Sequence, residues 1–303
     1  MDRRRKFFIA LQVTALVVFL GFLAFALQDS FREAGPRLRD ADVVHLALAF
    51  GLLAVYYLLF VVGWLWILRA LDIHISYRVA LQSEMVSMLA KYVPGGVWTP
   101  AARVMALRRY GVTATPTVLG SIALEAGLSA IAGVLVFIVS LPTVDDSDAP
   151  LWPLVGFAIA LAVLLHPRIF RPLARRLLKR FGASELPPIR HRTLVGLIAY
   201  YAVTWVFGGL TILYLIRAVG GDVGYDAVPY LGGVGAVGAI VAVLSFIAPS
   251  GLGVREASMF GLMLAVTTSG VALGATVLNR IAITLVEAGL LLLGALAGAF
   301  KKP

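Results

Sequence analysis

Two short segments place glycine, proline and basic side chains inside a chain that is otherwise strongly apolar. They read KYVPGGVWTPAARV at 91–104 and APSGLGVRE at 248–256. Glycine and proline interrupt a helix, and a helix that restarts after such a break presents backbone N–H groups that have no intrahelical partner. Those donors, together with the positive end of the helix dipole, favour an anion. The chemistry that these segments predict is therefore anion binding.

The candidate substrate ligands come from both segments: Lys91, Gly95, Gly96, Thr99, Arg103, Ser250, Gly251, Gly253, Arg255 and Glu256. Arg255 is the sharpest case, because a cation in the first turn of a helix opposes the dipole and needs a negative partner. That partner is either a bound anion or Glu256, and the sequence leaves both open. For Lys91, an interfacial position with the amine extended toward the lipid head groups competes with a substrate role.

Both breaks are followed by a readable helix. In the first segment Thr99 suits the cap and Pro100 the first helical position, where no N–H is needed. Arg108 suits the last turn, and Gly111 suits the residue that follows the helix. In the second segment a new helix is predicted to begin near Val254. Both helix starts are expected to lie inside the membrane.

Three further charges lie within apolar segments: Glu125, Arg280 and Glu287. The two glutamates either relay protons or form structural ion pairs. Arg280 is a candidate partner because it precedes Glu287 by seven residues and lies on roughly the same helix face. There are no cysteines, and the four histidines show no metal-binding spacing, so neither a metal site nor a cofactor is predicted.

The elements that position these residues are membrane-spanning helices. Of the 303 residues, 60% are hydrophobic and 14% are charged, and the mean hydropathy is +0.93. Apolar runs of about 20 residues, the length that crosses a bilayer core, recur along the chain. We predict an all-α polytopic membrane protein with spans at about 7–27, 43–68, 115–140, 151–165, 194–216 and 271–299.

The distribution of basic residues predicts the orientation of the spans. With a cytoplasmic N-terminus, 18 Lys and Arg residues lie inside and four outside, as the positive-inside rule requires. Both termini are then cytoplasmic, in the cell membrane. The basic linker at 166–193 is expected to lie on the anionic inner leaflet rather than to bind nucleic acid.

The sequence contains an internal repeat of about 150 residues. Three pairs of segments match in the same order: 68–80 with 216–228, 93–96 with 248–251, and 124–128 with 286–290. The last pair makes Glu125 equivalent to Glu287. With the predicted spans, the two halves, 1–140 and 141–303, cross the membrane in opposite directions. This predicts an inverted-topology repeat of three plus three spans; the alternative is chance similarity in a repetitive Ala/Leu/Gly-rich composition.

Each predicted half contains one broken hairpin between its second and third spans. The hairpins at about 79–110 and about 227–268 are predicted to be re-entrant and to enter from opposite faces. Irregular backbone at membrane depth is tolerated where it is buried in protein or lines a wet cavity. Inverted repeats with broken helices are typical of transporters, whose substrate site lies near the middle of the membrane.

The segments 93–112 (VPGGVWTPAARVMALRRYGV) and 248–260 (APSGLGVREASMF) resemble the transmembrane region of the lysylphosphatidylglycerol synthase family. The P-x-G-L-G-x-R-E pattern at 249–256 is the most specific part, and the resemblance covers roughly 40–300. It implies an eight-segment, flippase-like lipid-handling domain. The family's multidomain members flip aminoacylated phosphatidylglycerol, and some relatives are linked to polyprenyl-lipid pathways. Because no soluble aminoacyl-transferase domain precedes Pro303, we expect a free-standing member that does not synthesise lysyl-lipid.

The function predicted from these observations is transport of an anionic phospholipid or a polyprenyl-phosphate-linked lipid between leaflets. The alternatives are a small-solute secondary transporter and a non-transporting membrane partner of a cell-envelope enzyme. An enzyme is not expected, because the sequence shows neither a paired nucleophile and base nor an ATP-binding loop. The expected partners are membrane lipids with anionic head groups; the oligomeric state stays open.

The orientation generates a testable prediction. If 166–193 lies on the cytoplasmic leaflet, labels placed there should react only with reagents supplied from the inside. Accessibility from the outside would overturn the entire predicted topology, because consecutive spans alternate in direction and an error in one side changes the side assigned to the others.

Overall fold

A computed structural model describes residues 35–91, 98–144, 189–245 and 251–296, together with the isolated residues 159 and 172. The described part is helical and contains no strand. Its principal helices are α1 (Val43–Ala70), α2 (Tyr77–Ala90), α3 (Trp98–Arg108), α4 (Thr115–Ser140), α5 (His191–Ala218), α6 (Val228–Leu244), α7 (Val254–Met263) and α8 (Ser269–Leu296). Short 3-10 turns at Leu141–Thr143 and Tyr225–Ala227 follow α4 and precede α6.

Five described segments are long and apolar enough to cross a membrane. They are Val43–Ala70, Thr115–Thr143, His191–Ala218, Tyr225–Leu244 and Ser269–Leu292. Four of them coincide with predicted spans, which confirms those spans by length and composition. The predicted spans at 7–27 and 151–165 lie outside the described residues. Tyr225–Leu244 falls within the predicted second hairpin, so that hairpin's first arm is itself long enough to cross.

The same succession of long and short helices occurs twice along the chain. A helix of 28 residues is followed by two short ones, of 14 and 11 residues, and then by one of 26. The second series has 28, 17, 10 and 28 residues. In each series the interruption falls between the two short helices, where the sequence predicted a break.

The turns that end α1 and α5 have the same hydrogen-bond pattern. Ile73 donates its N–H to the Leu68 carbonyl, and Gly221 donates to the Ile216 carbonyl, each at 2.9 Å. The preceding residue has a positive φ in both turns, 60° at Asp72 and 80° at the equivalent glycine. These are Schellman-type helix ends. The sequence repeat therefore has a matching repeat in local backbone structure at this position.

Helix α6 packs against α4, α5 and α7. Glycine permits this close packing. A Cβ added at Gly209 would overlap the Val228 carbonyl oxygen, and one added at Gly232 would overlap the Trp205 carbonyl oxygen. A Cβ at Gly233 would lie 2.6 Å from the Cα of Phe137. Small residues allow the helix backbones to touch, which is a main source of helix association in a membrane.

This packing predicts that Gly209→Ala destabilises the fold, because the new methyl group must separate α5 from α6. Overpacking of this kind costs about 1–3 kcal/mol. The measurement is thermal unfolding of the purified protein in one detergent.

The matched control is Gly51→Ala in α1, where an added Cβ meets nothing within 4 Å. That substitution should leave the thermal midpoint unchanged or raise it, since alanine is the better helix former. Equal midpoints for the two variants would contradict the assigned contact between α5 and α6.

Candidate functional site

A cleft with about 390 Å³ of empty space lies among α1, α5, α6, α7 and α8. Its lining includes Tyr56 and Tyr57, which occupy the middle of the 28-residue helix α1. Gly235, near the middle of α6, also lines it. The cleft therefore lies near the mid-depth of the spanning helices. Its remaining lining residues are Leu53, Trp205, Gly208, Thr211, Ile212, Gly232, Arg255, Asn279 and Ile283.

Arg255 supplies the charge of this cleft. It is the second residue of α7, so its guanidinium lies near the positive end of that helix dipole. The Nε atom is buried without a hydrogen-bond partner, and within the described ranges no carboxylate forms an ion pair with Arg255. Gly238 of α6 packs against α7 beside this arginine, where an added Cβ would overlap Cγ of Met259 at 2.6 Å. The arrangement leaves a partly buried cation that faces a cleft without a negative partner.

Glu256 is engaged elsewhere. One carboxylate oxygen accepts the Gly253 N–H at 2.7 Å, which caps the start of α7, and the other lies 3.5 Å from Nη1 of Arg280. Gly253 has a φ of 82°, a conformation that favours glycine. Of the two possible partners for Arg255 that the sequence left open, the structure assigns Glu256 to the capping of α7 and to its connection with α8.

The remaining glycine-rich positions of the two breaks are only partly described. Gly251 has a φ of 67° and packs against Ala242 of α6. Ser250, Gly95 and Gly96 lie outside the described residues, so their predicted roles stay predictions.

Helix α3 begins at Trp98, one residue before the predicted cap. Thr99 therefore lies in the first turn and not at the cap. Pro100 still falls where the missing N–H has no intrahelical acceptor. The predicted end is confirmed, because Gly111 follows the helix with a φ of 82°. The predicted start of the second returning helix near Val254 is also confirmed.

Arg103 is buried between two carboxylates. Its guanidinium donates to Glu125 of α4 at 2.5 Å and forms an ion pair with Glu84 of α2. The ring of Trp64 lies 4.5 Å from the guanidinium carbon, a cation–π contact. Arg103 is not among the residues that line the cleft. The substrate role predicted for Arg103 thus has no support from its position, whereas an ion-pairing role does.

Lys91 connects the first broken segment to the other half of the chain. It caps the C-terminus of α2, and its amine forms an ion pair with Glu287 of α8. The same Glu287 oxygen accepts the Tyr57 hydroxyl at 2.6 Å. This contact gives no support to the interpretation that Lys91 extends to the membrane interface, because the amine pairs with a buried carboxylate on a neighbouring helix.

Glu125 and Glu287, which the sequence alignment pairs, both contact cations of the segment 91–104. Arg280, the partner that the sequence favoured for them, forms an ion pair with Glu256 of α7. Sequence reasoning overlooked Glu84, although a glutamate in the apolar run of α2 is the same signal that singled out Glu125. It also overlooked the cleft residues Tyr56, Tyr57 and Asn279, whose types are common in any span.

The fold and this site define a multi-pass α-helical membrane protein with a charged cleft at the mid-depth of its spans. The chain belongs to the lysylphosphatidylglycerol synthase transmembrane-region family, whose model matches residues 12–290. This confirms the resemblance deduced from the two glycine-rich segments. No curated protein matches the chain.

The ion pairs of Arg103 generate a prediction about stability. Arg103→Ala leaves two buried carboxylates without their cation, which should destabilise the fold by about 3–5 kcal/mol. Arg108→Ala on the same helix removes an exposed arginine and should change stability by no more than about 0.5 kcal/mol. Thermal unfolding of both variants measures the difference. Similar midpoints would contradict the buried ion pairs assigned to Arg103.

Proposed function

We propose that this protein moves an anionic lipid between the leaflets of the cell membrane, with the phosphate of the head group held by Arg255. The observation that carries the proposal is the guanidinium of Arg255, whose Nε is buried without a partner in a cleft at mid-depth. A partly buried cation without compensation is costly, and a phosphate would remove that cost through charge-assisted hydrogen bonds. Membership of a family of lipid-handling membrane domains supports the same function.

The lining of the cleft suits a head group, since it combines Arg255 with the tyrosines Tyr56 and Tyr57. In this proposal the phosphate and its substituent enter the cleft, while acyl or prenyl chains stay in the surrounding bilayer. Thr211 and Asn279 add polar groups to the wall, and the Thr211 hydroxyl is buried without a partner. An anionic phospholipid and a polyprenyl-phosphate-linked lipid share the required phosphate, so both are candidate substrates.

The transport mechanism that we propose uses the two halves, 1–140 and 141–303, as an inverted repeat around this cleft. Its support is the repeated order of helix lengths and the repeated turns after α1 and α5. The cleft is lined by α1 of the first half and by α5 to α8 of the second. Movement of one half against the other would expose the head group to alternate sides. Both termini lie in the cytoplasm in this arrangement, and the protein acts as a transporter rather than an enzyme.

The proposal predicts that Arg255→Ala weakens binding of an anionic lipid. A hydrogen bond to a charged group contributes roughly 1.5–3 kcal/mol, which corresponds to a loss of about ten- to a hundredfold. Arg255→Lys should restore only part of the loss, because an ammonium cannot contact a phosphate bidentately. The measurements are binding of phosphatidylglycerol and its transfer between leaflets in reconstituted vesicles.

Arg192→Ala is the matched control. Arg192 is also the second residue of its helix, but it is exposed and lies at the far end of α5 from the cleft. It should bind and transfer lipid like the wild type.

Parallel assays with phosphatidylcholine, a polyprenyl phosphate and inorganic phosphate separate the possible substrates. Uptake of inorganic phosphate without lipid transfer would identify a small-solute transporter. Wild-type lipid binding and transfer by a folded Arg255→Ala variant would place the head-group site elsewhere.

A further inference from the structure

The cluster around Arg103 contains more negative than positive charge. Glu84 and Glu125 are 6% and 5% exposed, and they share the single guanidinium of Arg103, which is 5% exposed. If all three groups were ionised, one negative charge would remain in excess. Burial of an unpaired charge within a membrane protein is costly, and such groups neutralise by taking up a proton when they have no ionic partner.

One oxygen of each carboxylate has no hydrogen bond. Glu84 Oε2 and Glu125 Oε1 are both buried, and no described residue donates to either. The opposite oxygens, Oε1 of Glu84 and Oε2 of Glu125, are those that Arg103 contacts. Each carboxylate thus presents one vacant oxygen at which a proton can be held.

Among the described residues around the pair, no second cation contacts these oxygens. From α2, Ser87 contacts Arg103 at 3.4 Å, and Lys91, although within electrostatic reach of Glu84, forms an ion pair with Glu287. From α1, the ring of Trp64 covers Arg103, and the hydroxyl of Tyr56 lies within electrostatic reach of Glu125. From α5, the buried hydroxyl of Tyr201 lies within reach of both glutamates and has no partner. In the described part of the chain, a proton is what balances the cluster.

We propose that Glu84 and Glu125 together hold one exchangeable proton, and that this proton is the coupling ion for transport of the anionic lipid. The proton adds to the vacant oxygen of one carboxylate, which becomes a neutral carboxylic acid, and the other carboxylate keeps a one-to-one ion pair with Arg103. On release the proton passes to water on the side to which the site opens. The coupling rests on the proposed function, whereas the proton site itself does not.

Tyr56 connects this site to the cleft. Its side chain lines the cleft and lies within electrostatic reach of both Arg255 and Glu125. A phosphate at Arg255 brings negative charge toward the carboxylate pair and favours its protonated form. By linkage, a proton on the pair favours the phosphate to the same extent. Lipid and proton therefore bind together, and a proton gradient can drive the lipid.

Infrared spectroscopy of the folded protein tests the proton site. The wild type should show the C=O stretching band of a neutral carboxylic acid at neutral pH. Glu84→Gln and Glu125→Gln should each abolish this band, because the remaining carboxylate then pairs with Arg103 one to one. Glutamine has nearly the shape of the protonated glutamate, so these variants keep the neutral state of the site.

Glu287→Gln is the matched control. Glu287 is also a buried glutamate, 6% exposed, but it already has its own cation in Lys91. This variant should retain the band. The wild type alone can overturn the proposal, even if no variant folds. It does so if the band is absent at every pH at which the wild-type protein stays folded. Persistence of the band in both folded Glu84→Gln and Glu125→Gln would also overturn it.

Transfer of labelled phosphatidylglycerol in vesicles of phosphatidylcholine and phosphatidylglycerol tests the coupling. With one proton per lipid, an imposed gradient should shift the leaflet distribution by up to about tenfold per pH unit. Glu125→Gln should transfer lipid without responding to the gradient. Gradient-independent transfer by the wild type would overturn the coupling and leave lipid transport standing. The two proposals can also fail separately. If both glutamine variants lose the infrared band but the wild type transfers no lipid at any pH, the proton site is supported and lipid transport is overturned.

Discussion

The constraint on which this structure depends is the compensation of charge inside an apolar fold. Five described helices are long and apolar enough to cross a membrane, yet the described residues include one buried arginine and three buried glutamates. A charge in such a setting is retained only with a partner of opposite sign. The ion pairs of Arg103 with Glu84 and Glu125, and of Lys91 with Glu287, hold the first broken segment against α4 and α8. The position of that short segment is thus determined by electrostatics as much as by packing.

The same constraint distinguishes Arg255, which is half-buried, from Arg103 and Lys91. Arg103 and Lys91 meet carboxylates, and Glu256 is committed to the cap of α7 and to Arg280. Arg255 instead faces a cleft bordered by tyrosines, a threonine and an asparagine. Among the described residues, Arg255 is thus a cation of the cleft without a carboxylate partner, and this is the feature that the proposed lipid site uses.

Close helix packing around glycine stabilises the bundle that holds these charges. Gly209 and Gly232 bring the backbones of α5 and α6 into contact, and Gly238 leaves room for Met259 of α7. With bulkier residues at these positions the helices would have to separate. The glycines therefore contribute to the stability of the bundle.

Much of the fold followed from the sequence alone. Hydropathy identified four of the spans that the structure describes, and glycine and proline located the two breaks, the helix start at Val254 and the helix end at Gly111. These features are local, since they depend on the backbone preferences and the polarity of a few consecutive residues. The glycine-rich segments were also specific enough to identify the family.

The partners of the charged residues were decided only by the tertiary structure. The sequence treated Arg103 and Arg255 as similar cations after similar breaks, and it favoured Arg280 as the partner of the two glutamates. In the structure Arg103 lies between Glu84 and Glu125, which precede and follow it in the chain by about 20 residues, and Lys91 reaches Glu287 from the other half. Which side chains meet depends on the rotation and depth of each helix against its neighbours. Those quantities are set by packing across the whole bundle, and no local pattern of residues contains them.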